Sequence, residues 1–191
     1  VGVVAGGTHP PALATLGERL PAVAVAALEY ARLLVWPADL HLERFTPVAG
    51  WTAGTAIAAW AGVAALLALL ALAARRTPGG VLFLGIALLA YAPVSGVVPV
   101  YAAVADRALF TPEHFLYLPL VGLAPLVAGA LARVAAPRAL VPAFAVVLLL
   151  WGAVVADRNR DWRDEETLFR HTLSFDPPSA RIWFNQANAE L

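Results

Sequence analysis

Four stretches of this 191-residue chain run for 18 residues or more without a charged side chain. They include 53–74, bounded by Trp51 and by Arg75-Arg76, then 80–105, 115–132 and 139–156. A hydrocarbon core of ~30 Å takes about 20 apolar residues as a helix. In that medium each backbone N–H and C=O must be bonded within the chain, which selects helices. The chain therefore reads as all-α, with a polytopic helical membrane domain over 1–156 and a separate tail over 161–191. The expected spans are 53–74, 80–98, 115–132 and 139–156. Pro93 and Pro99 interrupt the second run, which leaves 94–105 as a re-entrant or interfacial stretch. Composition agrees: 61% of residues are hydrophobic and 14% charged, against 45–50% and ~25% in soluble domains. An ordinary soluble enzyme is excluded, because so apolar a chain cannot cover its core with polar surface.

The segment 20–36 differs from the four runs because it carries Glu29 and Arg32. At 100° per residue these two fall on one narrow edge with Glu18. Such a helix either spans with that edge toward a cavity or lies along the interface. Glu29 and Arg32 are i,i+3 neighbours, so pairing with each other and facing a cavity are both open. Orientation follows from short-loop arginines. Arg75-Arg76 and Arg133 with Arg138 mark cytoplasmic loops, which puts 39–50, 106–114 and the tail outside.

Charge and residue usage exclude several classes. Thirteen basic residues balance thirteen acidic ones, so there is no excess to neutralise phosphates and no nucleic-acid partner is expected. There is no cysteine, and the four histidines are too scattered for a local metal motif. No metal set or cofactor is assigned, and no catalytic residue is identified. Lysine and methionine are also absent, which suits an internal fragment of a longer, GC-rich bacterial gene.

Ionisable groups at a membrane boundary are costly and mark candidate sites. The densest set is Asp106, Arg107, Glu113 and His114, leading into Tyr117 and Pro119. Arginine or protonated histidine there can hold a phosphate, and the two acids could orient those cations or hold a divalent metal, for which the sequence gives no ligand pattern. The second set, Asp39, His41, Glu43 and Arg44, reads as a solvated loop in which Arg44 has little to do. In the tail, 164–175 reads as an amphipathic helix stopped by Pro177-Pro178, and Ser179 can cap a second helix.

The tail resembles a tetratricopeptide repeat, with Phe169, Pro177, Trp183 and Ala187 in the repeat's aromatic, proline, tryptophan and small-residue places. Three further segments extend the likeness. HFLYLPLVGL with Asp106-Arg107 upstream, LEYARLLVWPADL, and NRDWRDEETLFRHTL resemble segments of bacterial multi-span proteins that end in such repeats. Those proteins are related to the transmembrane and tetratricopeptide-repeat O-mannosyltransferases, of the GT-C-like glycosyltransferase class. The resemblance implies a membrane domain followed by the start of a repeat α-solenoid, in the bacterial inner membrane with its tail outside. It implies transfer of a sugar from a polyprenyl-phosphate donor to a protein or other acceptor. Arg107 and His114 would hold the donor phosphate, Asp106 and Glu113 would orient them, and Tyr117 would line the pocket. The partners it implies are the bilayer, the lipid-linked sugar and a protein bound by the repeats. The rival reading is a non-catalytic membrane scaffold whose spans only anchor the repeats.

Overall fold

A computed structural model describes residues 14–98, 108–134, 136–175, 177 and 179–190. Seven α-helices carry the described chain: α1 (Leu16–Val35), α2 (Ala53–Arg76), α3 (Gly80–Tyr91), α4 (Tyr117–Val134), α5 (Pro137–Arg158), α6 (Glu165–Leu173) and α7 (Ala180–Ala189). Three helical stretches, Ala53–Arg76, Glu113–Arg133 and Arg138–Arg158, are long and apolar enough to cross a membrane. That fits a membrane protein.

Local chemistry sets the ends of these elements. Thr15 and Glu18 form a reciprocal capping box at the start of α1. Thr52 caps α2 and Asp164 caps α6, each accepting a backbone N–H through its side chain. Between α2 and α3, Gly79 takes φ +69°, a left-handed conformation that a side chain would disfavour. The chain can therefore reverse within a few residues.

The second apolar run departs from expectation. Its α-helix stops at Tyr91 and continues only as a 3-10 turn over Ala92–Val94, where Pro93 was expected to interrupt it but short of the bound of 98 drawn for the span. Twelve α-helical residues reach about 18 Å, short of a hydrocarbon core. Pro93 cannot donate to the helical ladder, and Gly96 turns the chain at φ +82°. The carbonyls freed there are claimed by Arg19 of α1. Its Nη1 donates to Gly96 at 3.0 Å and to Val97 at 2.9 Å, and the side chain is buried. Residues 99–107, which include most of the expected re-entrant stretch, lie outside the described residues.

α3 and α4 pack closely because Gly122 has no side chain. A Cβ there would stand 2.3 Å from the Phe83 carbonyl oxygen and 2.6 Å from the Ala87 nitrogen. Farther along α4, Gly129 lies against Thr77 at the end of α2. The Arg75-Arg76 turn and the Arg133 end of α4 thus share one end of the helices. At the other end, α1 and the loops build two apolar clusters. Ala22, Val23, Val48 and Leu109 form one; Tyr30, Leu33 and Leu116 form the other.

No strand is expected from the residue pattern. The structure has a short antiparallel ribbon of β1 (Phe45–Pro47) and β2 (Ala108–Phe110), pairing Phe45 with Phe110 and Pro47 with Ala108. The two phenylalanine rings meet at 5.3 Å, a cross-strand aromatic pair that helps hold the register. Three-residue strands carry too little alternation to stand out from the surrounding loop.

In the tail, α6 and α7 pack together and bury Thr172, Ile182 and Gln186. The repeat phase expected Trp183 and Ala187 on the inner face. Trp183 is instead 57% exposed and Ala187 is exposed. The buried stripe lies one residue earlier, a rotation of about 100°.

Candidate functional site

The ribbon joins two loops that are more than sixty residues apart in sequence. Its hydrogen bonding extends one step further, since the Thr111 N–H donates to the Arg44 carbonyl at 2.9 Å. Arg44 is thereby fixed where its guanidinium meets three elements. Nη1 donates to Glu29 on α1 at 3.1 Å, and Nη2 to Glu113 at 3.3 Å and to the Asp39 carbonyl at 2.6 Å. Asp39 adopts φ +58°, which an Asp tolerates, and this turns its carbonyl into the cluster. Arg32 grips Glu29 with two hydrogen bonds, at 2.7 and 2.9 Å. Two carboxylates and two guanidiniums so form a neutral chain from Arg32 to Glu113.

This corrects the reading of the 39–44 loop. Its Arg44 was expected to be screened by solvent, yet its side chain is only 12% exposed. The Nε is buried and makes no hydrogen bond among the described residues. His41 is buried as well, and its backbone N–H donates to Glu113 at 2.9 Å. Sequence alone could not find this cluster, because its members come from α1, one loop and the turn before α4.

The expected site residues separate into groups. Glu29, Arg32 and Glu113 meet in the cluster. His114 is exposed, with its ring 5.0 Å from that of Phe115. Tyr117 is 72% exposed. Asp106 and Arg107 lie outside the described residues. The Glu29–Arg32 edge of α1 is occupied by its own ion pair and by Arg44.

Beside this cluster opens a cavity of about 450 Å³ between the end of α1, the end of α5 and α6. Trp36, Pro37, Leu150 and Trp151 line its apolar part, and Arg158, Asp161 and His171 line its polar part. Arg158 donates to Asp161 at 2.7 Å, and His171 Nδ1 stands 3.7 Å from the other Asp161 oxygen. A cavity apolar at one end and ionic at the other suits an amphiphile at a membrane boundary. Trp36, at the end of α1, and Trp151, within α5, flank it. Among the described residues no group of three His, Asp or Glu side chains is placed to hold a metal ion.

The tail closes one side of this region. Leu42 N–H donates to Thr172, His171 Nε2 lies 3.1 Å from the Leu40 carbonyl, and Arg181 pairs with the buried Glu43. The loops 39–50 and 108–114 and the tail therefore meet at one end of the helices, opposite the arginine turns.

No family model matches the chain, and no solved structure matches it. It is similar to the Protein O-mannosyl-transferase Tmtc2 of Drosophila melanogaster, at 34% identity over 73 residues. That match takes in 36% of this chain and 8% of the fly protein, so the chain spans a small part of its relative. With three helices of membrane-spanning length, the chain is similar, at this coarse level, to part of a membrane-bound glycosyltransferase.

Proposed function

We propose that this chain is part of a membrane glycosyltransferase that moves a sugar from a polyprenyl-phosphate donor to a protein or other acceptor on the outer face. The observation that carries this reading is the meeting of the two loops, the tail and an amphipathic cavity at one end of the apolar helices. Such a site offers an apolar wall to a lipid chain and cations to a phosphate. In the transfer, the sugar's C1–O bond to phosphate breaks and a bond to the acceptor oxygen forms. The acceptor hydroxyl gives up its proton, and negative charge grows on the leaving phosphate oxygen. Arginine held nearby stabilises that charge. Arg107 and His114, in the segment leading into α4, are the residues we assign to it. Asp106 and Glu113 orient cations, Tyr117 borders the lipid side, and repeats beginning with α6 and α7 present the acceptor.

Transfer from a polyprenyl-phosphate-linked sugar, measured in membranes holding the full-length protein, tests this. Arg107→Ala should slow transfer by roughly 10²–10³-fold, as removal of one charge-stabilising donor does. Arg163→Ala, at an exposed tail position, should leave the rate unchanged. One observation favours a second reading, a scaffold without catalysis. Arg32, Arg44 and Arg158 are each already engaged by carboxylates. If the parent itself transfers no sugar at normal expression, the scaffold reading stands; if Arg107→Ala and His114→Ala both transfer at the parental rate, the phosphate is held by other residues.

A further inference from the structure

The joint between the 39–44 loop and the tail is built around a buried, stacked histidine. His41 is 6% exposed, and its ring lies flat on Phe175 with centroids 4.2 Å apart and 12° between planes. Its Nδ1 sits 2.7 Å from the Asp39 carbonyl. Nε2 is not among the buried atoms left without a partner, so it keeps contact with solvent. The backbone on either side of His41 is held from both directions. Glu113 accepts the His41 N–H, Thr172 accepts the Leu42 N–H, and His171 meets the Leu40 carbonyl.

The groups facing His41 come from several elements, and Glu29 of α1 is one of them, an acid that would favour the charged ring. Asp39 and Arg44 belong to its own loop, and Glu113 to the turn before α4. Arg158 comes from the end of α5 and His171 from α6, and Asp161 stands beside both. Three of these groups carry or can carry positive charge. The stack with Phe175 is the tail's aromatic contact with the loop, and the Arg181–Glu43 pair flanks it.

We propose that His41 is a pH-operated latch, which seats the tail on the loop end of the membrane helices near neutrality and releases it in mild acid. A doubly protonated ring would carry its charge in a largely buried seat against Phe175 and would face Arg44 and Arg158. Opening the joint supplies water and removes that repulsion. Burial pushes the docked imidazole down to about 4, and Arg44, Arg158 and His171 press the same way against the Asp39 carbonyl. The released ring returns to ~6.5. Between these values the released form binds a proton that the docked form does not, so lowering the pH favours release. Linkage makes the docked-to-released ratio fall by roughly 30-fold from pH 7.5 to pH 5. The latch is independent of whether the chain transfers sugar.

Hydrogen exchange on the full chain in lipid nanodiscs tests it, at pH 7.5 and 5.0 after correction for the intrinsic pH dependence. Protection of the Leu42 amide and of α6 should fall by roughly 30-fold, while α2 stays unchanged. His41→Phe keeps the ring stack and cannot titrate, so its α6 protection should not respond to pH. Equal protection of the parent chain at both values, or an undiminished response in His41→Phe, overturns the latch. Should His41→Phe fail to fold, an NMR titration of the labelled His41 ring in the parent chain decides. An apparent midpoint well below 6.5 is expected, and one at or above 6.5 overturns the proposal.

Discussion

The stretch from α1 to α4 and the stretch from α5 to α7 use the same residue types in opposite ways. In the first, Arg44 is nearly buried and ties two loops to α1, and Gly122 lets two helices touch backbone to backbone. In the second, Arg160 pairs with Asp157 while both side chains stay mostly in solvent, and a Cβ on Gly152 of α5 would meet nothing within 4 Å. The contrast holds for the helices themselves. Glu113–Arg133 and Arg138–Arg158 are similarly apolar, yet part of the first is buried inside the protein and none of the second. Apolarity says that a helix suits lipid. It does not say whether protein or lipid covers it, since lipid tails are as apolar as leucine and small residues decide close approach.

Substituting the paired glycines gives the largest test of this contrast. Gly122→Val places new atoms against the Phe83 carbonyl and the Ala87 amide. Neither backbone can yield without moving a helix, so a cost of about 3 kcal/mol is expected. Gly152→Val should stay within about 0.5 kcal/mol. Reversible unfolding in mixed micelles would measure both; equal effects would mean that the α3–α4 contact is not a tight one.

The arginines give the next. Arg44→Ala leaves Glu29 and Glu113 without their shared cation. Removing one partner of a fully buried pair costs ~3–5 kcal/mol. Glu29 and Glu113 keep partial contact with water, and Glu29 keeps Arg32, so about 2 kcal/mol is expected here. Arg160→Ala should be nearly silent, as exposed pairs usually are. The same unfolding measurement applies, and a silent Arg44→Ala would reduce the cluster to a surface feature.

The smallest expected effect is local to the tail. Two bonds from Thr167, backed by Arg163, hold the Asp164 carboxyl down to about 2. A carboxylate whose pKa is lowered on folding contributes stability above its unfolded value near 3.8 and loses it as the pH falls toward 2. Asp164→Ala should therefore raise amide exchange at Thr167 at pH 7 and leave α1 to α4 untouched. Similar exchange changes in α1 would show that the tail and the loop end are one cooperative unit.

Much of the helical framework was legible in the residues. Runs of apolar residues bounded by Trp51, Arg75-Arg76, Arg133 and Arg138 announce α2, α4 and α5. Asp164 and Ser179 mark the starts of α6 and α7. The candidate site was legible only in pieces. Glu113, Glu29 and Arg32 were singled out, but Arg44, the residue that joins them, reads in sequence like any loop arginine. The break in the second run was legible in Pro93, but a bound at 98 overran the helix, because the uncharged run continues past the proline and Gly96.

By itself the sequence determined where the backbone becomes helical and which helices suit a bilayer. Length, hydropathy and capping are properties of neighbouring residues, and each acts within a turn or two. Tertiary contacts pair Phe45–Pro47 with Ala108–Phe110, set His41 beneath Phe175 and take Arg44 out of solvent. Those outcomes depend on chain segments that meet from more than sixty residues apart. The strength of a charge or a hydrogen bond there is set by how much water the meeting removes.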